Sequence, residues 1–422
     1  MTSWPFRLML VATVLGFGGY ALLLPVVPLW ASGAGELAAG ATTGALMLTT
    51  ILTQLAVPWL VARWGYRPVL ATGLFLLGAP TPLLALSSAL VPVVAVSAAR
   101  GVGFGLLTVV GSALVAELVA PAEHGRAAAR YGVAIGVPQL VLLPAGVAVV
   151  DVTGFTGVFV AAGVAPLLGL VALPWLRVPD HAARGTGAPE RRLAGGEAAT
   201  RGPGTGDPGA REPRLAGRGT ATRGRRNGDS GAGKWRLAGR GAAAPLVAML
   251  ACSVAQGGLV TFLPLAVPGA AGLVAAALLV TAAGALVGRT VAGRLVDRHG
   301  LGGRLLRPGV GLAAVGMAVE VLALGGSGPL LVVGAGIVGL GFGLVQNDAL
   351  TTLFAASGPT GYGSASAAWN IAYDAGTGIG AVGLGGVADP FGFRAAFGLS
   401  AAVLLVVGAA PVRTTRPRWP GR

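Results

Sequence analysis

Asn370, Tyr373, Asp374 and Thr377 recur at i, i+3, i+4 and i+7 within an otherwise apolar run, the spacing that places them on one face of a helix. An ionisable group in the middle of a membrane-crossing run costs on the order of 3 kcal/mol, so Asp374 needs a reason to be there. Shielded from water, its carboxyl is a candidate proton carrier. The competing reading is an interhelical hydrogen-bond cluster shared with Asn370. A stripe this polar cannot favourably face lipid and should face a cavity or another helix.

Arg100 lies mid-run beside Gly101, Gly103 and Gly105. It reads either as a donor to backbone carbonyls at a glycine-rich kink or as the counter-charge of a proton or substrate site. Gln346, Asn347 and Asp348 are consecutive, so at most two can line one cavity. Asp348 reads equally as a second proton site or gate partner and as a structural group. Glu320 falls near the end of its run and reads as a wet interfacial residue. His124, His181 and His299 are too scattered to suggest a metal site, and the single Cys252 leaves no partner for an internal disulfide. No nucleophilic triad and no complete Gly-x-x-x-x-Gly-Lys-Ser/Thr loop is visible, so neither an enzyme, a cofactor nor ATP drive is expected.

The elements that must position these residues are membrane helices. Of 422 residues, 54% are apolar and 11% charged, against about 25% charged in ordinary soluble domains. About 20 apolar residues cross the hydrocarbon. Six such segments are expected over 8–30, 38–61, 69–88, 91–119, 127–150 and 154–176, and six more over 243–267, 270–290, 304–325, 329–355, 363–387 and 392–411. The run beginning at residue 8 is too long for a signal-peptide core and lacks a convincing cleavage site. The two sets are copies: GVGFGLL at 101–107 returns as GLGFGLV at 339–345, and Asp151-x-x-Gly154-Phe155-x-x-x-Phe159 as Asp389-x-x-Gly392-Phe393-x-x-x-Phe397, both shifted by 238. Parallel duplicated halves are a transporter architecture.

Arginines set the orientation. Arg7, Arg63, Arg67, Arg126, Arg130, Arg294, Arg298, Arg304, Arg307 and the tail Arg413, Arg416, Arg418 and Arg422 fall on one side of such a twelve-span layout, and Arg394 alone on the other. The basic side, with both termini, is then cytoplasmic. Residues 177–241 are rich in Gly, Pro, Arg and Thr and are expected to be a disordered basic linker; Arg-Leu-Ala-Gly recurs in it at 192, 214 and 236. Its charge lacks the aromatic interleaving of a nucleic-acid site, so contact with anionic lipid is the expected partner, not nucleic acid. The expected domains are a first bundle over 1–176, this linker, a second bundle over 242–412 and a tail over 413–422.

Gly293-Arg294-Leu295-Val296-Asp297-Arg298-His299-Gly300, after the eighth span, closely resembles the GxLaDRxG signature of the major facilitator superfamily. The weaker copy after the second span runs through Arg63, Gly65 and Arg67, with Ala62 where the signature carries aspartate. The resemblance covers essentially the whole chain. It implies an all-α membrane fold of twelve helices in two pseudo-symmetric six-helix bundles. It also implies that Gly293, Asp297, Arg298, Gly300 and Arg304, with the remnants Arg63, Gly65, Arg67 and Glu117, form a cytoplasmic latch. Arg100 before its glycines resembles the span-four motif of proton-linked members. Gly132-x-x-x-Gly136-Val137-Pro138 and Pro144-Ala145-Gly146 are a degraded likeness of an antiporter motif. Span one lacks the acidic residue several drug antiporters carry there. Trp369-Asn370-x-x-Tyr373-Asp374-x-Gly376-Thr377 resembles sugar-efflux-like permeases.

The expected function is proton-coupled efflux of a small amphiphilic, drug-like or natural-product compound by a monomer in the plasma membrane. Proton coupling would fall to Asp374, Arg100 and Asp348. The cavity would be lined from Asn370, Tyr373, Thr377, Trp369, Gln346 and Asn347. Gln256, Gln139 and Tyr20 join them on spans whose family counterparts line the cavity. The alternatives are a sugar exporter or proton symporter on the same fold, and a transport-inactive scaffold acting through the basic linker.

Overall fold

The computed structural model describes residues 3–119, 123–176, 242–357 and 362–410, so the expected linker and tail lie outside the described residues. Every regular element among them is helical. The helices are α1 (Trp4–Leu23), α2 (Val26–Ala31), α3 (Glu36–Trp64), α4 (Tyr66–Gly78), α5 (Leu90–Glu117) and α6 (His124–Ala172), then α7 (Ala243–Ala266), α8 (Ala271–His299), α9 (Leu306–Ala323), α10 (Gly328–Ser357) and α11 (Tyr362–Ala409). Ten stretches of described residues are long and apolar enough to cross a membrane; α1 joins α2 in one of them.

α6 has 49 residues and α11 has 48. At about 1.5 Å per residue each would reach roughly 70 Å, more than twice the ~30 Å hydrocarbon thickness. Both are broken at the glycine of the repeated Asp-x-x-Gly-Phe motif: Gly154 takes φ 71° and ψ 170°, Gly392 φ 79° and ψ 168°. That region of the backbone map is essentially reserved to glycine, so the duplicated motif encodes a turn between two helical stretches. The boundaries expected from sequence hold to within a few residues except in α8. It continues past 290 to His299, where Gly300 stops it in the left-handed conformation with its N–H on the Val296 carbonyl.

The second repeated motif, the glycine-rich run, is a packing device. A Cβ on Gly103 of α5 would sit 2.6 Å from the Gly73 carbonyl oxygen of α4, and one on Gly341 of α10 would sit 2.6 Å from the Ala313 nitrogen of α9. Small residues let these backbones touch, which drives helix association where lipid removes the hydrophobic effect. Equivalent contacts therefore recur in each half: α3 with α5 and α8 with α10, α1 with α6 and α7 with α11, α4 with α5 and α9 with α10. The halves meet through α3 against α11 and α6 against α8, two contacts exchanged by the same pseudo-symmetry.

Candidate functional site

Within the α3–α11 contact, Gln54 Nε2 donates to Asp374 Oδ2 at 2.9 Å and reaches Thr108 Oγ1 of α5 at 3.4 Å. Asp374 is 3% exposed, so a nearly sealed carboxyl of one half is held by an amide of the other. Asn370 is not its partner; its Nδ2 donates to the Ser366 carbonyl of its own helix. The expected single polar face is thus divided between neighbours. Asp374 turns to α3, Tyr373 turns to a cavity, and Thr377 back-bonds to the Tyr373 carbonyl where Gly257 of α7 packs closely on its backbone.

Arg100, 1% exposed, donates through Nη2 to the Gly19 carbonyl of α1 at 3.4 Å, while its Nε has no partner. Thr49 and Thr50 of α3 donate to the carbonyls of Ala98 and Gly101 on either side, which fastens α3 against α5 at the arginine. Tyr20 stacks on Phe104 with ring centroids 3.9 Å apart, and its hydroxyl has no hydrogen-bond partner. That hydroxyl lies within electrostatic reach of Arg100, Tyr373 and Asp374, so α1, α5 and α11, from both halves, converge on one polar centre.

Beside it lies a cavity of about 50 Å³ between α6 of the first half and α7, α8, α10 and α11 of the second, lined by Gln139, Gln256, Thr281, Arg289, Phe342 and Tyr373 among others. Its volume holds a water or two, against the roughly 300–1,000 Å³ of small-molecule pockets, so this conformation is contracted around its site. Trp369 stacks parallel to Tyr373 at 6.2 Å and donates to the Gln346 carbonyl. The Gln346 Oε1 and Asn347 Nδ2 atoms are sealed off without partners.

Asp348 does not line the cavity. Its Oδ1 accepts from the Gly303 N–H at 2.7 Å and its Oδ2 from the Leu305 N–H at 2.8 Å. It is therefore the cap that fastens the α8–α9 turn to α10, and both of its oxygens are occupied. Glu320 is not a wet interfacial residue: it is 0% exposed, because Gly334, lacking a side chain, lets α10 close over it. In the latch loop Asp297, Arg298 and Arg304 are exposed, and no hydrogen bond or ion pair joins their side chains to another described residue. Gly293 packs toward Asn347, and Gly300 ends α8. In the weaker copy Arg63 is exposed, Gly65 starts α4 at φ 81°, Arg67 Nη2 donates to the Pro174 carbonyl, and Glu117 faces the Tyr66 hydroxyl.

Three participants escaped the sequence reading. Gln54 is a lone amide in an apolar run, a signal that was present. Arg289 was hidden by the expected end of its span at 290, whereas α8 runs on for nearly ten more residues and leaves it well inside. Asp389 had been seen only as a repeat landmark. Its Oδ1 accepts the Glu36 N–H at 2.9 Å, so the second half caps the first turn of α3 across the interface. The pseudo-equivalent Asp151 is exposed and lines a vestibule of about 300 Å³ with Gly269 and Ala271 at the start of α8. One contact between the halves is clamped at this acidic end and its counterpart is not.

Two pseudo-symmetric helical bundles meeting at a polar centre define a multi-pass membrane transporter. The Major Facilitator Superfamily profile matches residues 9–381, and the chain belongs to that family. No curated protein matches the chain significantly in sequence. Among solved structures it is similar to a POT family transporter in complex with 5-aminolevulinic acid, at 13% identity and TM-score 0.70, covering 96% of this chain and 94% of that one. A bacterial homolog of the human lysosomal transporter Spinster, in an inward-facing and occupied conformation, matches at 15% identity and TM-score 0.70, covering 96% of each chain. A variant of the nucleoside transporter NupG matches at 11% identity and TM-score 0.68, covering 96% of this chain and 98% of that one. At these identities the likeness concerns the fold. The family and its fold make the chain a transporter, not an enzyme.

Proposed function

We propose that this transporter exports a small amphiphilic compound in exchange for protons, by alternating access between two six-span halves. In this reading α6 and α11 each cross twice, giving twelve spans. The basic side and both termini are cytoplasmic, and the protein works as a monomer in the plasma membrane. The observation that carries the reading is the Gln54–Asp374 bond: a shielded carboxyl of one half is held by a donor of the other. Any rocking of the halves changes that partner, and with it the carboxyl's hold on a proton. A potential of 100 mV supplies about 2.3 kcal/mol per charge. One net charge moved per cycle therefore sustains a gradient of roughly forty-fold, since about 1.4 kcal/mol is tenfold.

The test is proton flux from reconstituted vesicles on addition of candidate amphiphiles. Wild type should couple the two movements. Asp374→Asn should still bind substrate but release no protons, and unchanged coupling in that variant removes Asp374 from the mechanism. A sugar exporter or symporter is the second reading, favoured by the amides Gln139 and Gln256 and the Tyr373 ring on the cavity wall. Uptake of labelled sugar with no effect of amphiphiles would select it.

A further inference from the structure

The cavity is not electrically neutral. Arg289 of α8 contributes to the cavity wall, and its side chain is exposed. Among the described residues it has neither a hydrogen-bond nor an ion-pair partner. Asp374 and Asp348 are both engaged elsewhere: Asp374 accepts from Gln54, and Asp348 caps the α8–α9 turn. Arg100 is turned away to the Gly19 carbonyl of α1. The lining thus presents one unmatched positive charge. An exposed guanidinium that has no partner among the described residues is open to pair with an anion that enters the cavity.

A further feature says what kind of anion fits. Phe342 and Tyr373, also on the cavity wall, pack with ring centroids 5.9 Å apart, an apolar face suited to a ring. Guanidinium favours carboxylate through paired, planar hydrogen bonds.

The geometry points to an anionic substrate: an amphiphilic monocarboxylate whose acid group pairs with Arg289 while its aromatic or apolar body lies against Phe342 and Tyr373. This rests on the reading of the chain as a transporter of amphiphiles and narrows it. It also makes Arg289 a substrate-charge reader, separate from the Asp374 proton site. A cationic amphiphile would be disfavoured by the same charge.

The test uses three probes with one body, 4-phenylbutyrate, 4-phenylbutyramide and 4-phenylbutylamine, titrated against the full-length protein in lipid nanodiscs by calorimetry. The carboxylate should bind at least about tenfold more tightly than the amide, and the amine more weakly than either. Arg289→Gln should bring the carboxylate down to the level of the amide without changing amide binding, and Arg289→Lys should keep most of the preference. Equal binding of all three probes to wild type overturns the charge assignment while leaving the amphiphile reading intact. Tightest binding of the amine overturns it outright. If none of the probes binds at millimolar concentration, both the charge assignment and the amphiphile reading fall. The wild-type series decides the matter even if the Gln variant does not fold.

Discussion

Removing the Asp389 carboxylate should loosen the acidic end of the molecule by a predictable amount. In the structure its Oδ1 takes the Glu36 N–H at 2.9 Å, joining the last part of one half to the first turn of α3 in the other. A hydrogen bond to a charged group contributes about 1.5–3 kcal/mol when shielded, and an anion at a helix N-terminus about 0.3–1 more. Two effects reduce this. Asp389 is exposed, and the Glu36 carboxylate lies close enough to repel it. A net of about 1–2 kcal/mol remains, a factor of roughly 5–30 in the equilibrium between clamped and parted halves. Met47, 1% exposed and packed on Gly378 of α11, reports that parting when replaced by cysteine in a Cys252→Ala background. Maleimide labelling of the purified protein in nanodiscs should accelerate about 5- to 30-fold in Asp389→Ala. Asp389→Asn, which keeps a carbonyl acceptor, should give a smaller increase. A labelling rate equal to that of the parent would refute the assignment of this bond as a clamp.

Asp348→Ala strands the N–H groups of Gly303 and Leu305, each at about 1–3 kcal/mol, and should lower the thermal unfolding midpoint, with Asp348→Asn intermediate. Gly154→Ala and Gly392→Ala each force a side chain into a backbone region costing about 1–3 kcal/mol; fluorescence-detected size exclusion should show a reduced monodisperse yield for both. Gln54→Leu should leave substrate binding nearly intact but lower substrate-driven proton release about tenfold, because it deletes the donor that ties Asp374 to the opposite half.

Much of the architecture was legible because it is written twice. The Asp-x-x-Gly-Phe motif announced both the duplication and the position of a break, and the break needs no tertiary information beyond a backbone region only glycine tolerates. Helix faces were harder. Spacing placed Asn370, Tyr373, Asp374 and Thr377 on one face, but a face about a third of a helix wide touches several neighbours, and each side chain took a different one. Arg289 was lost for a simpler reason: apolar content ends before the helix does, because α8 projects a polar last turn beyond its hydrophobic part. Asp348 and Glu320 show the limit most clearly. One carboxylate is fully occupied by backbone donors from a turn some 45 residues away, the other is covered by a glycine of the next helix, and neither partner is visible from local sequence.

The central claim is that the two halves rock about the site between them. Spin-label distances across the interface at both ends test it directly, with one pair at Arg63 and Ser364 on the basic side and another at Ser32 and Gly269 on the acidic side. On adding a transported amphiphile in nanodiscs, one distance should lengthen as the other shortens. Two distances that stay fixed, or that change in the same sense, would contradict the account.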